Sequence, residues 1–141
     1  MPEDLQNAKN ILTQTDSTCV LCRDDVVHKS SVRGVQPLLD WLDSGEDTWA
    51  CSAADKVVGK AAAHLYCLLG VRRVHGNVMS VAAVKLLRRN GVEAYWDTLA
   101  ENIRNRSNTG FCPLEEATLH IDEPEEALPV IRATLERLQG K

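Results

Sequence analysis

Apolar residues at Leu5, Ala8, Ile11 and Leu12 recur at the spacing of one helical face, and the pattern stops at the polar cluster Thr15-Asp16-Ser17, which predicts a first helix. Two short apolar runs, 18–23 and 26–30, flank Asp24-Asp25 and read as the strands of a hairpin. Val35, Leu38, Leu39 and Leu42 mark a short second helix with Pro37 in its first turn, stopped by Asp43-Ser44-Gly45. A third strand is expected over 48–53. It leads into a helix dense in small residues (Gly59, Ala61, Ala62, Ala63) that runs to Leu69 and is closed by Gly70. The fourth strand is expected over 71–78. Ser80 then caps a helix carrying Val81, Val84, Leu86 and Leu87, which ends at Asn90-Gly91. Residues 92–96 read as a fifth strand. The segment 98–110 is polar and irregular. Pro113 opens a short helix with Glu115 and Glu116 in its first turn, and Pro124 opens a last helix carrying Leu128, Ile131, Leu135 and Leu138.

A hairpin followed by strand–helix–strand–helix–strand predicts an α/β fold with a mixed five-stranded sheet. Right-handed crossovers place helices on both faces, giving a three-layer α/β/α sandwich. Residues 1–141 form one domain in this reading, with 98–120 as a covering loop and short helix and 124–138 as the C-terminal helix.

Length and charge narrow the function classes. The 141 residues carry a net charge of -4, which disfavours a broad nucleic-acid-binding face. Arg72-Arg73, Arg88-Arg89 and Arg104/Arg106 are local clusters that suit one phosphate or carboxylate. No apolar run approaches the about 20 residues that span a bilayer, and the opening Met1-Pro2-Glu3-Asp4-Leu5 has no basic-then-apolar pattern, so a cytoplasmic, membrane-free protein is expected.

In open α/β sheets ligands bind beyond the carboxyl ends of parallel strands. The site is therefore expected to draw Ser52, Ala54, Asp55, Lys56 and Gly59 from the end of strand three, and Asn77 and Ser80 from the end of strand four. Ser31-Val32-Arg33-Gly34 and Trp96 would approach it, and the loop to Cys112 would cover it. Asp55 and Lys56 are expected side by side at a helix start, where free N–H groups and a partly desolvated lysine would orient a polar ligand or move a proton. A bland alternative is an N-cap Asp55 beside a solvated Lys56.

The five cysteines (19, 22, 51, 67, 112) are an odd number and scattered, as in a reducing compartment. Cys19 and Cys22 sit three apart on a strand and point to opposite faces, which argues against a shared metal. Cys112 precedes Pro113 at a helix start and is the thiol expected to react, unless it is only a structural cap. The four histidines show no ligand spacing. Ala54, four residues, then Gly59-Lys60-Ala61 nears a phosphate-loop pattern. It lacks the hydroxyl after Lys60 and is expected to lie inside a helix, so that reading is rejected.

The order of elements, with the stretch Ala53 to Ala63 and the later Phe111-Cys112-Pro113-Leu114-Glu115-Glu116, resembles the cytidine deaminase-like fold, and within it a small uncharacterised bacterial family. The same superfamily includes the formate dehydrogenase accessory sulfurtransferases. Deaminases of this fold hold zinc with His/Cys-x-Glu at one helix start and Pro-Cys-x-x-Cys at the next. By order of elements those starts fall at 31–34 and 52–56 here, and neither has the ligands. The resemblance thus implies a deaminase-like domain without its zinc, and no metal or cofactor is expected. Three readings stay open: a domain binding a small polar, nucleotide-like ligand through Asp55 and Lys56; a cysteine-dependent enzyme or sulfur carrier using Cys112; and a non-catalytic homo-oligomeric binding or regulatory protein, with Trp41 and the last helix as its faces.

Overall fold

The computed structural model of the chain describes residues 2–103 and 112–139. The elements follow as α1 (Glu3–Gln14), β1 (Cys19–Arg23), β2 (Val26–Ser30), α2 (Gln36–Ser44), β3 (Ser52–Val58), α3 (Lys60–Leu69), β4 (Arg73–Ser80), α4 (Val81–Arg89), β5 (Glu93–Ala100), α5 (Pro113–Thr118) and α6 (Pro124–Gln139). The strands lie in the order β2-β1-β3-β4-β5. β1 is antiparallel to both its neighbours, while β3, β4 and β5 run parallel. This is the mixed five-stranded α/β sheet read from the sequence.

The two faces of the sheet are covered unequally. On one face α1 packs alone, closing a small cluster of Ala8, Leu12, Val20, Cys22 and Ala54. On the other, α2, α3 and α4 cover a larger core that includes Leu21, Ala53, Val74 and Leu87, and α5 and α6 extend it with Leu114, Ala127 and Ile131. β1 is apolar at both alternating sets of positions because it is covered on both sides. The edge strand β2 alternates between half-buried and exposed residues. Asp24 makes the hairpin turn at φ 50°, a left-handed conformation that Asp tolerates. Ser80 caps α4 as expected, its Oγ accepting from the Ala83 N–H at 3.1 Å.

The third strand and the helix after it are displaced from their predicted positions. Residues 48–50 form a turn: Ala50 has φ 60°, Thr48 Oγ1 donates to the Leu69 carbonyl at 2.7 Å, and Trp49 is 73% exposed. The strand begins at Ser52 and takes in Ala53, Ala54, Asp55 and Lys56, the residues expected to open the helix; α3 opens at Lys60. Alanine favours helices in isolation, but this segment lies between β1 and β4 with a layer over each face, where small side chains let helices approach closely. β4 and β5 also run on to Ser80 and Ala100. The expected covering segment therefore starts inside β5, and its stretch 104–111, with Phe111, Arg104 and Arg106, lies outside the described residues.

Candidate functional site

A cleft of about 460 Å³ opens at the carboxyl end of β3. The loop before α2 contributes Arg33 and Val35, β3 contributes Asp55 and Val57, the start of α3 contributes Gly59 and Ala62, and the α5 region contributes Cys112, Leu114 and Glu115.

Asp55 lies within a strand and not at a helix start, which corrects its predicted setting and changes its partners. Its side chain is turned under α3, where the fully buried Tyr66 O–H donates to Oδ2 at 2.7 Å. The Val57 N–H reaches Oδ1 at 3.3 Å. Burial raises the Asp55 pKa to about 6 against these hydrogen bonds, which favour the carboxylate. Because successive strand residues point to opposite faces, Lys56 does not stand beside Asp55. It is exposed at the rim of the cleft, so the proposed charged pair is not formed.

The oriented N–H groups expected near Asp55 belong to α3 and are already engaged. Glu115 reaches across from α5, its Oε1 accepting from the Lys60 N–H at 2.7 Å and its Oε2 from the Ala61 N–H at 3.1 Å. A carboxylate here complements the positive end of the helix. Gly59 is required by this contact, since a Cβ at that position would lie 2.0 Å from Glu115 Oε1. Burial raises the Glu115 pKa, opposed by the two amides and by Lys60. Lys60 is itself 7% exposed, its Nζ donating to the Leu119 carbonyl and to Asp122 Oδ1, both at 2.9 Å. Gly59-Lys60 thus opens a helix after all. The phosphate-loop reading still fails, because strand runs unbroken to Val58 where that motif needs a loop, and Ala61 has no hydroxyl.

Of the other predicted residues, Arg33, Gly34, Gly59 and Cys112 line the cleft, and Ser52, Ala54, Asn77, Ser80 and Trp96 do not. Cys112 is half-buried at the N-cap of α5 without a side-chain cap bond. Ser52 accepts a long 3.4 Å hydrogen bond from Arg73, and Ala54 packs under α1, so both face away. Asn77 is exposed on β4. Ser80 borders a much smaller cavity, of about 30 Å³, which Glu115 also lines. Trp96 lies within β5 under the Arg88 guanidinium, 5.4 Å from its ring centre. Cys19 and Cys22 lie in separate clusters on opposite faces of the sheet. Sequence reasoning missed Glu115, Tyr66 and, as an individual residue, Arg33. Only the Gly59-Lys60 junction hinted at the helix start that Glu115 caps.

These features define a mixed-sheet α/β fold with a largely apolar cleft, holding a few polar side chains, at the end of its first parallel strand. The chain belongs to the DUF1893 (TM1506) family, a domain of unknown function, which it matches over residues 7–135. It is similar to the crystal structure of a DUF1893 family protein (TM1506) from Thermotoga maritima, with 26% identity and a TM-score of 0.83 over 97% of this chain and 92% of that one. No curated protein matches it. Among the described residues, no helix is long and apolar enough to cross a membrane.

Proposed function

We propose that this chain is a deaminase-like domain that works without zinc, binding a small polar, nucleotide-sized ligand in the cleft beside Asp55. The observation that carries this reading is a half-buried carboxylate, without an ion-pair partner among the described residues, lining a cleft of ligand size. The residues at the helix starts do not fit a zinc ion. Val35-Gln36-Pro37 open α2 and Gly59-Lys60-Ala61 open α3, and none of these is a histidine, cysteine or carboxylate ligand. No group of three His, Cys, Asp or Glu side chains among the described residues is placed to hold a metal. Native mass spectrometry of the intact chain and of Asp55→Ala, after exposure to nucleosides, nucleotides and amino acids, tests the reading. A compound retained by the parent and at least tenfold less by the variant is expected. Retention that ignores Asp55, or none at all, would overturn it.

A thiol enzyme or sulfur carrier is the second reading, favoured by the position of Cys112 in the same cleft. Burial pushes Cys19 up to about 12 and Cys51 and Cys67 to about 11, and it raises Cys22 as well, so those four are poor nucleophiles near neutrality. Timed iodoacetamide labelling at neutral pH should modify Cys112 about tenfold faster than any other cysteine, and Cys112→Ser should remove that phase. Five equally slow thiols would end this reading.

A further inference from the structure

We infer that the cleft recognises a two-ended ligand: a cationic nitrogen head, amidinium, guanidinium or ammonium, seated on Asp55, and an anionic group directed to Arg33. This rests on the cleft being a ligand site, as proposed above.

The neighbours of Asp55 leave a place for the head. On β1 its register partner is Cys19 and on β4 it is Gly76, so neither adjacent strand brings a positive charge. From α3 comes one neutral donor, Tyr66. A carboxylate offers about four lone-pair positions; Tyr66 fills one well, and the Val57 amide, at 3.3 Å, and the Lys56 amide also bond it, so a place remains for an incoming donor. No ion pair neutralises Asp55 among the described residues. Such a group is stabilised by an incoming cation and destabilised by an anion. Glu115 is the less suited of the two carboxylates, because the Lys60 charge and the amides at the positive end of α3 already offset its own. Asp55 is therefore the carboxylate of the cleft with no ion-pair partner among the described residues.

The other end follows from Arg33. Its guanidinium is exposed, lines the same cleft and makes no ion pair among the described residues. Its forked donors fit a carboxylate or a phosphate. Val35, Val57, Ala62 and Leu114 give apolar wall for the body of the ligand.

Benzamidine, benzamide and benzoate share one planar shape and carry a positive, a neutral and a negative head, and 4-carboxybenzamidine adds the second end. Ligand-observed NMR titrations of the intact chain with these four compounds test the inference. Benzamidine should bind better than its two analogues and about tenfold less tightly to Asp55→Asn, which keeps an acceptor for Tyr66. The 4-carboxy compound should gain about threefold over benzamidine, and Arg33→Ala should erase that gain. Preferential binding of benzoate or benzamide, or benzamidine binding indifferent to Asp55→Asn, overturns the polarity while the cleft remains a site. If none of the four binds, the inference falls, while the reading beneath it stands or falls on the nucleoside, nucleotide and amino-acid retention test.

Discussion

A carboxylate on a β-strand normally points to water; Asp55 instead lies beneath α3, and burial lifts its pKa from 3.8 to about 6. The folded protein therefore binds this proton more tightly than the unfolded chain does. The contribution to stability is present in full below about pH 4 and is lost as the pH rises through 6. Above that the ionised group costs about 3 kcal/mol, the size of a two-unit shift. Other groups act with the opposite sign. Asp43, Asp47 and Asp122 are held below their usual range by Arg132, Arg23 and Lys60 respectively, and the buried His64 and His75 resist protonation, so all five weaken the fold on acidification. The Asp55 contribution is isolated by difference. Melting temperatures of the parent and Asp55→Asn should diverge in favour of the variant between pH 4 and 7. Parallel curves would mean that Asp55 is solvated and not buried.

The contact between α3 and α5 depends on one missing methyl group. Gly59→Ala places a Cβ where Glu115 Oε1 sits, so the carboxylate must leave the Lys60 and Ala61 amides. Losing a charge-assisted cap of this kind costs about 1–3 kcal/mol. Urea unfolding should show that loss for Gly59→Ala and for Glu115→Ala, with the double variant close to either single one. Fully additive losses would show that the two residues do not act through a shared contact. At this scale the sequence was only partly legible. The hairpin, α2 and the Ser80 cap were readable from turn chemistry and periodicity. The boundary of β3 was not, because Ala53, Ala54 and Lys56 carry helical propensity, and their extended conformation is set by β1 and β4 on either side. The doublet Val57-Val58 before Gly59 was the one local sign that the strand continued. Glu115 was unreadable, since it is separated from Lys60 by 55 residues and its partner is a pair of backbone amides.

At the scale of the molecule, the order of elements sufficed for the mixed sheet, since a hairpin and two crossovers leave few topologies. The unequal cover of its two faces was not legible, because it depends on where α5 and α6 dock. That asymmetry makes α1 the separable part of the fold, a single helix whose Ala8 and Leu12 close over Val20, Cys22 and Ala54, while the opposite core spans five helices. The cysteines of β1 report on the two faces independently. Cys22 lies beneath α1 and Cys19 faces the larger core, each 2% exposed. Leu12→Ala removes buried surface only from the α1 side and should cost about 2–5 kcal/mol. If α1 opens as its own unit, thiol labelling of this variant under native conditions should speed up at Cys22 and stay unchanged at Cys19. Equal acceleration at both would show that the two faces unfold together, with the sheet transmitting the loss of one layer to the other.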